Sequence, residues 1–298
     1  MRVCTAAPLI AVTLGLLGAQ PEAAPVRRWG FNGHEMAARA AASSLPPSVP
    51  GFFRAARDQL VYLDAEPDRW RTPSRNEMSR AWAPDHYVNL EDLPAGALDA
   101  SDRYAYIALL YGAGIVEPEE NAGFLPFRIV ELYQRLVTEW ALWRRETDPR
   151  RRAWIEDRIL NDAGLLGHYV TDASNPHHTT IHYNGWSQGA PNPERYTVDR
   201  TFHGRFEAGF VDAHVTQPDV DGRMRAPRSV AGSARTAVLE YLMATHALVD
   251  ELYRLDRDVG FDPAGPARAE TVVFAAERLA AGAGMLAVLW LSAWEESA

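Results

Sequence analysis

The feature that most constrains the fold is a repeated pairing of a histidine with a carboxylate four residues further along the chain. His168 and Asp172 form the first pair. His203 and Glu207 form the second, and His178 lies between the two pairs. Because residues four apart lie on one face of an α-helix, each pair presents an imidazole and a carboxylate side by side. These nitrogen and oxygen donors suit zinc without any thiolate, so the sequence predicts a metal site where helical segments meet.

Apolar residues recur at the spacing of an α-helix along most of the chain, whereas alternating strand-like runs are scarce. Helical patterns cover residues 34–44, 103–112, 126–146, 153–172, 232–255 and 267–294. Loops rich in Pro, Gly, Asn and Asp are predicted at residues 64–85, 173–200 and 215–231. No repeat or shift of composition divides the chain. We therefore predict an all-α fold, a single-domain multi-helix bundle that holds the metal site among its helices and long loops.

The first residues have the pattern of an export signal. An apolar run from Ala6 to Leu17 follows a basic residue and precedes small residues that offer cleavage sites. The run is shorter than the roughly 20 residues of a membrane span. The only cysteine, Cys4, lies in this segment, so the mature protein is predicted to have no disulfide. We expect residues 1–28 to be a signal peptide, with a short propeptide if trimming continues to Trp29, and residues 29–298 to be secreted or periplasmic.

Some apolar and aromatic segments allow more than one interpretation. The uncharged stretch from Leu279 to Trp294 could be mistaken for a membrane span, but its Gly, Ala and Ser content and the acidic residues after it favour a buried central helix. Trp140, Trp143 and Trp154 occur at helical spacing and are predicted to be core residues rather than a platform on which bases stack. We expect no transmembrane span in the mature chain.

The formal net charge of −9 argues against one class of partner. All 30 basic residues are arginines, and they form no basic tract. Tracking a DNA duplex by charge requires a positive surface that displaces counterions. We therefore predict no duplex-DNA-specific binding, and we expect a monomer.

The histidine motif resembles the superfamily of zinc-dependent bacterial phospholipases C and the single-strand-specific nucleases of fungi and plants. These proteins share an all-α fold and a trinuclear zinc site. Their central motif is His-x-x-x-Asp followed six residues later by His, which His168, Asp172 and His178 reproduce together with Pro176. The resemblance reaches most of the mature chain, but its specificity lies in four short motifs.

The other motifs divide between the two branches of that superfamily. Trp29-Gly-Phe-Asn-Gly-His34 is similar to the start of the mature nucleases, whereas the last pair ends in Asp in the nucleases and in Glu, like Glu207, in the phospholipases. Asp68-Arg-Trp-Arg71 resembles the nuclease motif Asp-x-x-Arg, whose arginine contacts the substrate phosphate. His86 resembles the ligand that the family has in a His-Tyr context.

The resemblance implies three zinc ions. Their ligands would be Asp68, His86, His168 and Asp172 on one ion, His178, His203 and Glu207 on a second, and His34, the bridging Asp172 and the amine and carbonyl of Trp29 on a third. The third ion requires Trp29 to be the mature N-terminus, since only a free amine has a lone pair to donate, and two ions are expected otherwise. Asp64 and Asp85 remain alternatives to Asp68, because the separation of Asp68 from His86 is longer than in the family.

The implied activity is that of an exported zinc-dependent hydrolase of phosphodiester bonds, with Asp68 and Arg71 as catalytic residues. The spacing of Trp29 and His34 and the Asp68–Arg71 motif favour a single-strand-preferring nuclease. Glu207 favours the alternative, a phospholipase C that acts on phospholipid head groups. A non-catalytic, zinc-stabilised exported protein is a further alternative. The remaining histidines are expected to be structural or to lie at the rim of the site: His177, His182, His214 and His246.

Overall fold

The structure is a computed structural model that describes residues 30–298. The signal peptide proposed for residues 1–28 and the proposed ligand Trp29 lie outside the described residues. Within residues 30–298 the chain forms helices and no β-strand, with one isolated bridge between Tyr183 and Gly185. The predicted all-α fold is thereby confirmed.

The α-helices follow one another as α1 (Phe31–Ser44), α2 (Gly51–Ala55), α3 (Arg57–Asp64), α4 (Glu66–Trp70), α5 (Asn76–Trp82), α6 (Arg103–Gly112), α7 (Pro118–Asn121), α8 (Leu125–Arg145), α9 (Pro149–Asp172), α10 (Phe202–Gly204), α11 (Val211–His214), α12 (Gln217–Asp221), α13 (Ala234–His246), α14 (Val249–Asp258) and α15 (Ala269–Glu296). A π-helical segment, Arg205–Phe210, joins α10 to α11. Short 3₁₀ turns occupy Pro73–Arg75, Ala83–His86, Leu90–Asp92, Ala97–Asp99 and Pro176–Thr179.

The stretches with a long helical pattern are helical in the structure, except that 232–255 is interrupted between α13 and α14, and two of the predicted loops contain helices. The segment 64–85 holds α4 and α5, and the segment 215–231 holds α12. These helices have five to seven residues, too few for an apolar repeat to emerge. Pro67 and Pro218, which suggested loops, lie in the first turns of α4 and α12, where proline's missing N–H costs no hydrogen bond.

The core is built around α15, which packs against α1, α8 and α9. Its length and apolar composition would allow it to cross a membrane, and no other helix within residues 30–298 meets that test. In the fold, 56% of its most apolar 18-residue stretch is buried. Leu279, Leu286 and Trp290 are among the buried residues. The structure therefore shows α15 as the buried central helix that the sequence predicts.

The three tryptophans at helical spacing behave differently. Trp140 is buried in the core, and Trp143 packs beside it with ring centroids 5.8 Å apart. Trp154 is 55% exposed, so the prediction that it is a core residue is wrong. It lies in the first turns of α9, which are mostly exposed, and its ring is covered by the guanidinium of Arg150. Periodicity alone does not show where a helix extends beyond its neighbours.

Two glycines allow α3 to lie unusually close to α9. A Cβ at Gly164 would lie 2.3 Å from the Cβ of Leu63, and one at Gly167 would lie 2.1 Å from Oδ2 of Asp64. Both distances are shorter than any real contact, so neither position tolerates a side chain without movement of α3. The close approach carries the last residue of α3, Asp64, to the C-terminal half of α9.

A buried carboxylate between α8 and α9 should make stability depend on pH. Burial, with the nearby charge of Asp162, raises the pKa of Glu139 to about 7. In the unfolded chain the same group titrates near 4.5, so the folded state retains a proton that the unfolded state loses. Stability from this group is therefore full below pH 4.5 and lost as the pH rises to about 7, by roughly 3 kcal/mol in total, of which about 2 kcal/mol falls between pH 5 and pH 8.

Urea denaturation at pH 5 and pH 8 tests this expectation. The Glu139→Gln variant should lose about 2 kcal/mol less than the parent protein between the two pH values. An identical pH dependence in both proteins would show that Glu139 titrates normally in the fold.

Candidate metal centre

Six separate parts of the chain bring the predicted ligands to one place. They are the start of α1, the α3–α4 junction, the 3₁₀ turn before Tyr87, the end of α9, the 3₁₀ turn after Asn175, and α10 with its π-helical extension. Asp68 and His203 are partly exposed. The other predicted ligands within the described residues are buried: His34, His86, His168, Asp172, His178 and Glu207. The structure thus places histidines and carboxylates from distant parts of the chain in mutual contact.

The first cluster joins Asp68, His86 and His168. One donor atom from each lies within 4.8 Å of the others. Nε2 of His168 is 3.0 Å from Nδ1 of His86. Oδ2 of Asp172 is 2.9 Å from the same Nδ1 of His86 and 3.3 Å from Nε2 of His168. Asp68, His86 and His168 therefore form one group of possible metal ligands, and Asp172 contacts its two histidines.

The second cluster joins His178, His203 and Glu207. The Nε2 atoms of His178 and His203 are 3.1 Å apart. Oε2 of Glu207 is 2.8 Å from Nε2 of His203 and 3.4 Å from Nε2 of His178. Asn175, which the sequence analysis missed, donates from Nδ2 to the same Oε2 at 3.2 Å. Glu207 lies in the π-helical segment, and such rare segments often occur at functional sites.

Asp172 connects the clusters to His34, the remaining predicted ligand. Oδ1 of Asp172 is 3.5 Å from Nε2 of His34 and 3.7 Å from Nδ1 of His178, while Oδ2 faces His86. The two carboxylate oxygens therefore point toward different histidines. This arrangement allows one carboxylate to bridge two metal ions.

Backbone carbonyls orient the rings of two histidines. Nδ1 of His168 donates to the carbonyl of Asp64 at 2.7 Å, and Nδ1 of His178 donates to the carbonyl of His86 at 2.6 Å. A carbonyl only accepts, so the proton is on Nδ1 and the lone pair of Nε2 faces the cluster. Metal-binding histidines are commonly fixed in this way.

The structure gives the three candidate loop carboxylates different surroundings. Asp85 is buried against Arg103 at 2.9 Å and Arg128 at 3.4 Å, so it makes ion pairs away from the histidines. Asp64 accepts a hydrogen bond from Nδ1 of His34 at 2.8 Å. Asp68 is the carboxylate that groups with His86 and His168, whereas Asp64 groups with His34 and His168, again with one donor atom from each residue within 4.8 Å of the others. The geometry therefore places Asp68 in the first cluster, places Asp64 beside His34 and His168, and pairs Asp85 with arginines.

The charges of the cluster favour cation binding. Burial opposes ionisation of Asp172, but the surrounding histidines, His168 foremost, hold its pKa well below the usual range. Glu207 is held ionised in the same way by His203. Burial, helped by the charge of Arg71, lowers the pKa of His86 to about 3, so its imidazole is neutral. Ionised carboxylates and neutral imidazoles are the forms that bind metal ions.

His34 and His178 differ from His86. Burial opposes the charged form of His178, but the charge of Asp172 overcomes that effect and raises its pKa. The shift of His34 is large. Burial opposes its charged form, but hydrogen bonds to Asp172 and Asp64 overcome that effect and raise its pKa to about 10. In the metal-free protein His34 is therefore protonated and balances part of the charge of the two carboxylates. A metal ion that binds at Nε2 must displace this proton.

The histidines outside the motif have structural surroundings. His177 is fully buried against Phe202 and Phe206, and neither of its ring nitrogens has a hydrogen-bond partner within residues 30–298. His182 stacks on Trp186 with ring centroids 3.7 Å apart. His214 bonds the carbonyl of Asp262 at 3.0 Å, and His246 is half-buried. These contacts agree with the structural interpretation, although the His177 ring lies only 4.8 Å from that of His203.

Two side chains at the edge of the clusters could contact a substrate. The guanidinium of Arg71 is 28% exposed and lies 3.4 Å from the carboxylate of Asp68. Tyr183, which the sequence analysis did not single out, is 46% exposed, and its ring centroid lies 6.5 Å from that of His203. No sequence motif marked Tyr183, because its role depends on the path of the long loop after α9.

Comparisons of the chain with family models, with curated proteins and with solved structures found no match. Function must therefore be inferred from the chemistry of the site. The described part of the chain is an all-α fold in which buried histidine and carboxylate groups could bind metal ions.

Proposed function

We propose that the protein is an exported zinc-dependent phosphodiesterase, related to the phospholipase C and single-strand nuclease superfamily, that preferentially hydrolyses single-stranded nucleic acid. The observation that supports this most strongly is the position of Asp172. Its two oxygens face His34 and His86, which belong to different parts of the cluster. A carboxylate shared in this way would hold metal ions close enough to act on one phosphate.

The donor set supports zinc as the metal. It combines imidazole nitrogens with carboxylate oxygens and contains no thiolate, which suits zinc. Zinc bonds of about 2.0–2.1 Å in a tetrahedron place neighbouring donor atoms about 3.3 Å apart. The donor distances of 3.0 Å between His86 and His168 and 3.1 Å between His178 and His203 are near that value.

The proposed chemistry divides between the metal and the chain. Bound zinc ions would lower the pKa of a coordinated water toward neutrality and withdraw charge from the phosphoryl oxygens. Arg71 offers a planar guanidinium that can bind two oxygens of a phosphodiester. Asp68 lies 3.4 Å from that guanidinium and also faces the first cluster, so it orients Arg71 relative to the metal ligands.

The preference for single strands has its own support. An exposed aromatic ring, Tyr183, lies beside His203, where an unpaired base could stack while its phosphate reaches the cluster. The segments Trp29–His34 and Asp68–Arg71 resemble nuclease motifs, and this also favours the nucleases. Glu207, as the phospholipase version of the last ligand, supports phospholipase C as the second candidate. A zinc-stabilised protein without catalysis is the third.

Turnover measurements separate these candidates. The zinc-loaded protein is assayed on single-stranded DNA, single-stranded RNA, duplex DNA and phosphatidylcholine vesicles, before and after removal of metal with a chelator. We expect chelator-sensitive cleavage of the single strands that zinc restores. Faster release of head groups from phosphatidylcholine would favour the phospholipase, and hydrolysis of none of the four would leave only the non-catalytic protein.

Arg71 provides a test that separates substrate binding from metal binding. We expect Arg71→Ala to lower kcat/KM by roughly 10-fold to 100-fold, because a charge-assisted phosphate contact contributes about 1.5–3 kcal/mol. Zinc content should stay unchanged. The matched control is Arg75→Ala, which removes the same charge from an exposed position whose guanidinium donates to the carbonyl of Ser74. Equal activity of the two variants would exclude a role of Arg71 in the reaction.

A further inference from the structure

Two histidines of the cluster lie stacked in parallel between two aspartates. The rings of His34 on α1 and His168 on α9 have centroids 4.0 Å apart and planes 10° apart. Both Nε2 atoms face Asp172, at 3.5 Å and 3.3 Å. Both Nδ1 atoms face Asp64, at 2.8 Å and 2.7 Å. The two rings therefore share one partner residue at each edge.

Asp64 uses different atoms for the two rings. Its side-chain Oδ1 pairs with Nδ1 of His34, whereas its main-chain carbonyl accepts from Nδ1 of His168. When His34 is neutral, an ionised Asp64 can only accept, which keeps the remaining proton on Nδ1 and the lone pair on Nε2. Only in that tautomer can His34 offer Nε2 to a metal ion beside Asp172.

Burial of the Asp64 carboxylate is energetically unfavourable. Its side chain is fully buried, and Oδ2 has no hydrogen-bond partner among residues 30–298. Leaving a buried carboxylate oxygen unbonded is unfavourable. Gly167 supplies the space for this oxygen, since a Cβ there would lie 2.1 Å from it. Gly167 on α9 thus leaves room for the carboxylate of Asp64 at the end of α3. This contact lies next to His168, the first residue of the central motif.

We propose that Asp64 is a positioning residue for two metal ligands, through its side chain for His34 and through its main chain for His168. The proposal rests on the proposed zinc site but not on the identity of the substrate. It has a selective consequence, because a substitution removes the side chain and leaves the carbonyl. Loss of the Asp64 carboxylate should therefore lower the affinity for the ion that would bind His34. The affinities for the ions at His86 with His168 and at His178 with His203 should stay unchanged.

The test measures zinc per chain in the full mature protein after dialysis against a graded series of chelator concentrations. Asp64→Ala should release one zinc ion at a chelator concentration roughly 10-fold to 100-fold lower than the parent protein does, as expected for the loss of a partner that orients a ligand. Asp64→Asn keeps an oxygen that can accept from Nδ1 and should restore most of that affinity. Asp58→Ala, which removes a 79% exposed acid from the same helix, is the control and should behave as the parent.

Ring ¹⁵N chemical shifts of the zinc-loaded proteins show the tautomers directly. We expect Asp64→Ala to change the shifts of His34 and to leave Nδ1 of His168 protonated. If the alanine variant does not fold, Asp64→Ser replaces it, because a serine hydroxyl is too short to reach His34. Equal release from Asp64→Asn and Asp64→Ala would make Asp64 a ligand rather than a positioning residue. Unchanged zinc binding and unchanged ¹⁵N chemical shifts in the alanine or serine variant would overturn the proposal for Asp64 and leave the proposed zinc site intact. Absence of zinc from the parent protein would overturn the proposed zinc site itself.

Discussion

Replacement of Asp172 by alanine should remove metal ions and hydrolytic activity together. Asp172 faces His34 through one oxygen and His86 and His168 through the other, so its loss would remove a ligand from two of the proposed ions. It also leaves several buried imidazoles without their counter-charge. We expect at least one zinc ion to be lost and phosphodiester cleavage to fall by roughly a thousandfold or more, since bound metal supplies several kcal/mol of charge stabilisation.

The control for this prediction is Asp157→Ala, on an exposed turn of the same helix α9. Zinc content is measured by mass spectrometry of the metal and cleavage by release of products from a single strand. The control should retain both zinc and activity. An Asp172→Ala protein that keeps its full zinc content and its activity would show that the site lies elsewhere in the molecule.

The second large effect concerns stability. Gly164→Ala should destabilise the protein by about 2 kcal/mol or more, because overpacking costs exceed the gain in helix propensity. The added Cβ would meet the Cβ of Leu63 at 2.3 Å and its backbone at 3.3 Å, so α3 must shift away from α9. That shift also moves the carbonyl of Asp64 away from Nδ1 of His168. Because His168 then loses the hydrogen bond that orients its ring, zinc should bind more weakly.

Gly284→Ala in α15 is the matched control. A Cβ at Gly284 meets no atom within 4 Å, so the same substitution there should leave stability unchanged or raise it by up to about 1 kcal/mol. Urea denaturation of the three proteins measures the difference. Equal unfolding free energies for Gly164→Ala and the parent would show that α3 and α9 are less closely packed than the structure indicates.

The sequence predicted the fold class and the two histidine–carboxylate pairs because both depend on local spacing. His168 with Asp172, and His203 with Glu207, lie one helical turn apart in the structure as their separation requires. The apolar repeats identified the long helices for the same reason. The short helices α4, α5 and α12 were missed because a helix of one or two turns leaves no repeat to detect.

What the sequence left open depends on tertiary contacts. Asp64, Asp68 and Asp85 are equivalent acids in one segment, and only the direction in which each side chain points separates them. Asp85 turns to Arg103, a partner on α6 that no spacing rule connects to it. One signal was available, since two glycines within a strong helical pattern indicate close approach of another backbone. Gly164 and Gly167 mark the place where α3 contacts α9.

The most direct test of the proposed metal site is anomalous X-ray diffraction at the zinc absorption edge from crystals of the zinc-loaded protein. We predict one zinc peak among Asp68, His86, His168 and Asp172 and a second among His178, His203 and Glu207. A third peak beside His34 and Asp172 is expected where Trp29 is the mature N-terminus. Zinc-loaded crystals with no anomalous peak within bonding distance of Asp172 and Glu207 would contradict the account.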